Sequence, residues 1–235
     1  MNIVELGTGL AVSSISMAVA AKLNGLGHLW TVDNFEYFRT DNARVNEVCS
    51  QLRAAGILTL DSPSAEAYYT ALTERFGVDS YVTFLKSTMK LTEMGHFNDY
   101  PFVDVSIDLL FSDFMHDPSS ILALLGHFLP KMSPSSSIFI DSAPTMWPSY
   151  LLLENLTLQW NSGRVPQILQ DLCEADLDAM ARRKRLVLVN LTERRCRAQN
   201  STAWLKVEPV DLLPYPETQM RHINPDLHKL SQIQK

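Results

Sequence analysis

Glycines and carboxylates near the start of the chain have the types and spacing that suggest chemistry. Residues 3–9 read Ile-Val-Glu-Leu-Gly-Thr-Gly, and a second apolar run ends at Asp33, 24 residues after the last glycine. Glycine has no Cβ, so the backbone at Gly7 and Gly9 can turn sharply against a ligand. A helix predicted from Val12 directs its unpaired amides into the same space. Because a carboxylate ending the next strand suits two ribose hydroxyls, the pattern predicts a doubly wound nucleoside-binding unit.

The glycine spacing distinguishes between nucleotide cofactors. The dinucleotide fingerprint G-x-G-x-x-G needs a third glycine, and Val12 stands in its place. Glu5 lies two residues before the first glycine, and acids suit a cationic ligand better than a pyrophosphate. The run Glu-Leu-Gly-Thr-Gly-Leu-Ala resembles motif I of the class I S-adenosylmethionine-dependent methyltransferases, E/D-x-G-x-G-x-G, with Ala11 in place of the third glycine.

The resemblance implies S-adenosylmethionine as the cofactor and assigns residues to its binding. Asp33, supported by Asn34, would hold the ribose, and the amides at Gly9 would lie near the amino acid tail. The family often carries an acid near the adenine after strand 3; it is missing here, so Ser87 or Thr88 would serve there. The expected cofactor-binding residues are Glu5, Gly7, Thr8, Gly9, Asp33, Asn34, Ser87, Thr88 and Asp113.

A second candidate segment is Asp113-Phe114-Met115-His116, at the predicted end of strand 4. Asp-x-x-His at this place resembles a group of metal-dependent O-methyltransferases. That resemblance implies that Asp113 and His116 are catalytic, with His116 as the base, and that Asp113 and Asp141 bind Mg²⁺ with a third ligand from elsewhere. Ile140 stands where a second acid is common. The alternative is that Asp113 caps the next helix and His116 is a surface residue.

Two aromatic groups are candidates for lining a substrate pocket or, equally, for local packing. The first lies in the loop before strand 4 and the second follows strand 5. They comprise His96, Phe97, Tyr100 and Phe102, and then Trp147, Tyr150 and Trp160.

Strand and helix patterns alternate, which predicts an α/β fold with a doubly wound, mostly parallel seven-stranded sheet and helices on both faces. The family resemblance adds the strand order 3-2-1-4-5-7-6 and an antiparallel C-terminal strand. The expected domain is 1–210, with candidate cap elements at 61–77 and 147–165 and a tail at 211–235. Predicted strands are 2–7, 28–33, 81–85, 107–112, 137–141, 186–191 and 203–208; predicted helices are 12–24, 41–55, 64–76 (capped by Asp61 or Ser62, with Pro63 at its start), 119–132, 150–159 and 166–184.

Composition narrows the class of partner. The net charge is −6, and the two short basic runs read more simply as a helix end and a turn, so a small-molecule substrate is favoured over nucleic acid. Three widely spaced cysteines indicate a reducing compartment, and no run of about 18 apolar residues predicts a membrane span. We therefore expect a cytoplasmic protein without a membrane partner. A site lacking the family's usual N-terminal helices favours a homodimer.

The sequence as a whole predicts an S-adenosylmethionine-dependent methyltransferase acting on a small molecule, by O-methylation of a hydroxyl in specialised metabolism. Two alternatives stay open: an N-methyltransferase, which would not need His116, and a non-catalytic methyltransferase-like binding subunit. A nicotinamide-dependent oxidoreductase needs a pyrophosphate loop and a proton donor such as Tyr-x-x-x-Lys, and neither is found in position.

Overall fold

The computed structural model of the chain describes residues 1–39, 41–59, 64–92, 105–173, 175–191 and 201–210. The predicted loop aromatics at 96–102 and the tail 211–235 lie outside the described residues. Within the described part, no helix is both long and apolar enough to cross a membrane.

Seven strands form one sheet in the order β3-β2-β1-β4-β5-β7-β6. Strands β1 to β5 are parallel, and β7 runs antiparallel to both β5 and β6. The predicted α/β sheet, with its strand order and antiparallel C-terminal strand, is therefore confirmed. The strands are β1 (Asn2–Leu6), β2 (His28–Asp33), β3 (Val82–Lys86), β4 (Ile107–Ser112), β5 (Met132–Asp141), β6 (Lys184–Leu191) and β7 (Thr202–Pro209).

Helices cover both faces of this sheet and bury two separate apolar clusters. The first three helices pack on one face around Ile3, Leu29 and Val82, and the others pack on the opposite face around Val4, Leu110 and Ile138. The α-helices are α1 (Val12–Asn24), α2 (Ala43–Ala54), α3 (Ala65–Phe76), α4 (Pro118–Phe128), α5 (Trp147–Asn161), α6 (Gln167–Asp171) and α7 (Leu177–Ala181).

Two helix predictions are wrong in detail. Helix α3 is capped by Ser64, whose side chain accepts a hydrogen bond from the Ala67 amide at 3.2 Å, and not by Asp61 or Ser62. The predicted helix 166–184 is two short helices, because Asp176 caps a new one by accepting from the Ala179 amide at 2.8 Å. Gly126 of α4 also lies against Leu172, so the chain after α6 packs directly on a helix backbone.

The aromatic residues after β5 divide into a core residue and a stacked pair nearer the surface. Trp160 is 1% exposed and donates its indole N–H to the Lys184 carbonyl at 2.8 Å, so it serves packing. Trp147 is 67% exposed and stacks on Tyr150 with the ring centroids 5.5 Å apart. Of the three, only Trp147 and Tyr150 remain available to contact a substrate.

A row of three aromatic residues and one valine, called the aromatic row below, crosses the C-terminal half of the sheet. Phe111, Phe139, Trp204 and Val189 are partners in register on four adjacent strands, and each is partly exposed. Phe139 and Trp204 stack with their centroids 5.7 Å apart. This row faces away from the cluster formed by α4 to α7, because its neighbours along each strand belong to that cluster.

Strand β1 ends in a narrow space between β2 and β4. The Gly7 amide donates to the Val32 carbonyl at 2.9 Å, and a Cβ added at Gly7 would lie 2.2 Å from the Asp113 carbonyl oxygen. A Cβ added at Gly9 would meet nothing within 4 Å. A side chain therefore has room at Gly9 and none at Gly7. Both residues have positive φ, 92° for Gly7 and 50° for Gly9, and this backbone conformation favours glycine at both positions.

This difference predicts unequal losses of stability. Gly9→Ala should lower the free energy of unfolding by about 1–2 kcal/mol, through a strained φ alone. Gly7→Ala should lose about 1–3 kcal/mol more, because its Cβ overlaps the β4 backbone. Urea unfolding of the two variants measures both values, and equal losses would contradict the close approach of Gly7 to Asp113.

Candidate active site

A cleft opens at the edge of the sheet where β1, β2, β3 and β4 end. It encloses about 560 Å³ including its open mouth. Parallel sheets bind ligands beyond the carboxyl ends of their strands, and this cleft has that position. Its lining combines apolar walls with carboxylate, amide and hydroxyl groups, from Leu6, Gly7, Val32, Asp33, Asn34, Ser87, Met89, Asp113 and Phe114.

Asp33 is held in the cleft by two backbone amides. Its Oδ2 accepts from the Gly9 N–H at 3.0 Å, and its Oδ1 accepts from the Phe35 N–H at 2.7 Å. Each carboxylate oxygen has a second acceptor site, so two ligand hydroxyls can still be bound. Since the Gly9 amide already donates to Asp33, it is not directed at a ligand in this structure.

Glu5 lies beneath the glycine loop and is fully buried. Its carboxylate accepts hydrogen bonds from Ser13 and Ser14 in the first turn of α1 and from Thr31 in β2, the last at 2.6 Å. Thr8 in turn donates to Thr31 at 2.6 Å, since the single Thr31 proton is directed at Glu5. Glu5 and Thr8 thus anchor the loop from below and do not line the cleft, while their predicted contacts with the cofactor stay predictions.

The loop continues through Ala11, which adopts a left-handed conformation with φ 58° just before α1. The family pattern has glycine here, and the observed φ explains why. Ala11 is completely buried, so the position accepts only a small side chain. Replacing the expected glycine by alanine therefore leaves strain at the start of α1.

Two tyrosines of α3 support the same loop from above. Tyr69 donates its hydroxyl to the Gly9 carbonyl at 2.9 Å, and Tyr68 donates to the Leu10 carbonyl at 3.2 Å. Both are 2% exposed. The sequence predicts a cap element here, and it does not indicate this supporting role of the two tyrosines. The adjacent aromatic residues are a signal of burial, but nothing local connects them to a loop about 60 residues away.

Asp113, His116 and Asp141 lie together where β4 and β5 end. His116 Nε2 is 3.8 Å from Asp113 Oδ1, and its Nδ1 is buried with no hydrogen-bond partner among the described residues. Partial burial raises the pKa of Asp113, the charge of Asp141 raises it further, and His116 opposes both. The helix cap is Asp117, which accepts from the Ser119 and Ser120 amides, so Asp113 is free of that structural role.

Two carboxylates among the described residues at this site, those of Asp113 and Asp141, are available for a metal. Asp141 accepts from the Ser142 hydroxyl at 2.9 Å and the Thr202 hydroxyl at 3.0 Å, which fixes its orientation. No group of three or more histidine, cysteine, aspartate or glutamate side chains that could hold a metal occurs in the described part of the chain. Two carboxylates fit Mg²⁺, which commonly keeps several waters and takes further oxygen ligands from a substrate.

The structure thus brings together part of the predicted set. Gly7, Asp33, Asn34, Ser87 and Asp113 line one cleft. Thr88, Gly9 and His116 are close in the chain to lining residues and do not line it themselves. Asp141 is distant in the chain and lies near the lining residue Asp113 in space. Met89 and Phe114 are lining residues that sequence reasoning did not assign, although both follow strand ends where the site was expected.

A family model described as a methyltransferase domain matches residues 4–143, more than half of the chain. The chain belongs to the methyltransferase family. This confirms the class I S-adenosylmethionine-dependent methyltransferase predicted from motif I, and the strand order agrees with it. The matched part of this methyltransferase includes every candidate site residue from Glu5 to Asp141. A search of curated proteins by sequence finds no match.

Solved methyltransferase structures are similar to the chain at low sequence identity. SMU.1697c from Streptococcus mutans, in complex with SAH, is 8% identical, covers 88% of each chain and has a TM-score of 0.43. The O-methyltransferase NovP is 14% identical over 87% of this chain and 71% of its own, with a TM-score of 0.48. The METTL16 MTase domain is 11% identical over 88% and 59%, with a TM-score of 0.45. Similarities at this distance do not decide the methyl acceptor.

Buried Glu5 generates a prediction about stability and pH. Burial raises the pKa of its carboxyl above the ordinary value of 4.5, against the lowering effect of the serine and threonine hydroxyls. The folded state then binds more protons than the unfolded state, so the free energy of unfolding falls as the pH rises from 4.5 toward the folded-state pKa. Glu5→Gln removes this titration. Its unfolding free energy relative to wild type should therefore rise with pH across that window and stay constant above it.

Urea unfolding of both proteins at intervals from about pH 4 to 8 measures this difference. The exposed Glu74→Gln on α3 is the matched control for replacing a carboxyl group by an amide at the surface. A difference between Glu5→Gln and wild type that does not change with pH would contradict a raised pKa at Glu5.

Proposed function

We propose that this methyltransferase transfers a methyl group from S-adenosylmethionine to a hydroxyl of a small molecule. The observation that carries the proposal is the position of an amide-held carboxylate, Asp33, in one cleft with Asp113, whose neighbours are His116 and Asp141. One part of the cleft is suited to the cofactor. Next to the cleft, beside Asp113, His116 and Asp141 offer a base and a second acidic group to a reacting hydroxyl.

The cofactor half is assigned from the contacts at the strand ends. Asp33 accepts the two ribose hydroxyls with the lone pairs that its amide donors leave unused. The apolar side chains of Met89 and Phe114 provide flat contact area for an adenine, and Ser87 offers polar groups beside it. Glu5 acts through the loop that it anchors.

The acceptor half is assigned from the chemistry of methyl transfer. S-adenosylmethionine, when bound, supplies a methyl carbon on a sulfonium sulfur that leaves with the bonding electron pair. His116 takes the proton of the acceptor hydroxyl, so that the oxygen can form the new bond to that carbon. Asp113, 3.8 Å from His116 Nε2, stabilises the positive ring that results.

A divalent cation is compatible with this arrangement. Asp113 and Asp141 would hold Mg²⁺, which would supply Lewis-acid activation of the acceptor oxygen. Burial and, after it, the charge of Asp141 raise the pKa of Asp113, and a cation between the two carboxylates would oppose both effects. Among the described residues, no third histidine, cysteine or carboxylate side chain joins this pair.

The class of acceptor rests on charge and chemistry. A net charge of −6 supports a small molecule over a nucleic acid. The Asp113 carboxylate beside the His116 ring favours a hydroxyl acceptor, because it stabilises the protonated base that a hydroxyl needs and a neutral amine does not. We further propose a homodimer, and the partly exposed aromatic row across β4, β5, β7 and β6 supports it, because exposed apolar surface favours association. A role in specialised metabolism and a cytoplasmic location are part of the same proposal.

Calorimetric titration with S-adenosylmethionine tests the cofactor assignment. Wild type should bind, and Asp33→Ala should bind more weakly by about 1–3 kcal/mol, because hydrogen bonds to a charged acceptor are lost. The control is Asp79→Ala, an exposed carboxylate before β3 at the opposite edge of the sheet, which should bind as wild type does. Equal affinities for Asp33→Ala and wild type would remove Asp33 from the site. Failure of wild type to bind would favour the non-catalytic alternative.

Methyl transfer to hydroxylated and amine acceptors tests the base. His116→Ala should lower kcat for a hydroxylated acceptor by about 100-fold or more and leave the affinity for S-adenosylmethionine unchanged. The control is His28→Gln, at the start of β2 and far from the cleft, which should keep wild-type activity. Full activity of His116→Ala on an amine would support the N-methyltransferase instead.

Mg²⁺ titration with Asp141→Asn as the comparison variant determines whether the cation binds.

A further inference from the structure

Tyr69 makes three contacts that converge on one side of the cleft. Its hydroxyl donates to the Gly9 carbonyl at 2.9 Å. Its ring stacks on Phe84 of β3, with centroids 4.4 Å apart and the planes 3° from parallel, and it meets the edge of Phe35 at 5.2 Å. The Tyr69 side chain is only 2% exposed, and it is packed between the glycine loop, strand β3 and Phe35.

Gly9 and Phe35 are also the two residues whose amides hold the Asp33 carboxylate. Nothing lies within 4 Å of the position that a Cβ would take at Gly9, so no atom packs against that side of the loop. Phe35 has φ 64°, which is strained for a residue with a large side chain. Tyr69 contacts both, so one side chain supports both donors to Asp33.

The Tyr69 hydroxyl stays a donor at any pH the protein experiences. Burial raises its pKa well above the ordinary value, and the charge of Asp33 adds to that effect. The Gly9 carbonyl therefore always meets an O–H group. The Asp33–Gly9–Tyr69 contacts form a continuous support from the carboxylate to α3.

We infer that Tyr69 is a positioning residue that orients the Asp33 carboxylate toward the ribose hydroxyls of the cofactor. The inference rests on the proposed cofactor site, in which Asp33 binds the ribose. It adds a requirement that the family pattern does not contain: the fit to the ribose depends on a tyrosine of α3 through the two amides that it supports.

The ribose hydroxyls themselves provide the test. A hydrogen bond to a charged acceptor corresponds to roughly a ten- to hundredfold change in Kd, so wild type should bind adenosine at least about tenfold more tightly than 2′-deoxyadenosine. Both are measured as competitors of S-adenosylhomocysteine on the full chain. In Tyr69→Phe the preference for adenosine should fall to about threefold or less.

Tyr68→Phe is the matched control, because it removes one buried hydroxyl from the adjacent residue, whose partner is the Leu10 carbonyl. It should keep the wild-type preference. A purely structural effect of Tyr69→Phe would weaken the two nucleosides equally, and an unchanged ratio therefore overturns the inference. Phe84→Leu removes the stacked ring and keeps the hydroxyl; it should reduce the ratio to an intermediate value, and it serves as the test if Tyr69→Phe does not fold.

The outcomes separate this inference from the proposed function. Failure of wild type to bind S-adenosylhomocysteine refutes the cofactor site and the inference with it. Binding without a preference for adenosine refutes the Asp33–ribose contact. Binding with a preference that Tyr69→Phe retains leaves the proposed function intact and overturns the role of Tyr69 alone.

Discussion

The glycine loop keeps its shape because of a carboxylate buried in the middle of the sheet. Burying such a group is unfavourable unless hydrogen bonds compensate, and Glu5 has three hydroxyl donors. Two come from the first turn of α1 and one from β2. One buried side chain of β1 therefore connects the loop, the helix that follows it and the neighbouring strand, and Asp33 at the end of β2 inherits its position from that connection.

Backbone strain is concentrated at the same edge of the sheet. Among the described residues, the non-glycine residues with positive φ are Ala11, Phe35 and Ser142, and they follow the ends of β1, β2 and β5. Such conformations persist where surrounding contacts determine them. Tyr69 supplies those contacts for Phe35, and complete burial supplies them for Ala11. The strain thus marks the edge where the site was assigned from its side chains.

Local patterns predicted those parts of the fold whose stability is local. Helix α1 and strands β2 and β4 have the predicted bounds, since apolar runs and glycine ends define them. The prediction of one helix over 166–184 was wrong. The apolar spacing of this region fits a single helix, but the cap at Asp176 begins a second helix. The close approach of Gly7 to Asp113 and the support from Tyr69 could not be predicted, because both depend on packing between segments far apart in the chain.

The acceptor half of the site is an electrostatic balance of three groups. Asp113 and Asp141 extend from adjacent parallel strands, so the sheet itself brings two like charges together. Burial raises the pKa of Asp113, the charge of Asp141 raises it further, and His116 lowers it. A proton held by His116 after it deprotonates a hydroxyl, or a cation between the two carboxylates, relieves the same repulsion. The geometry therefore favours positive charge at the place where the proposed O-methylation would generate it, and the two proposed mechanisms use the same feature of the sheet.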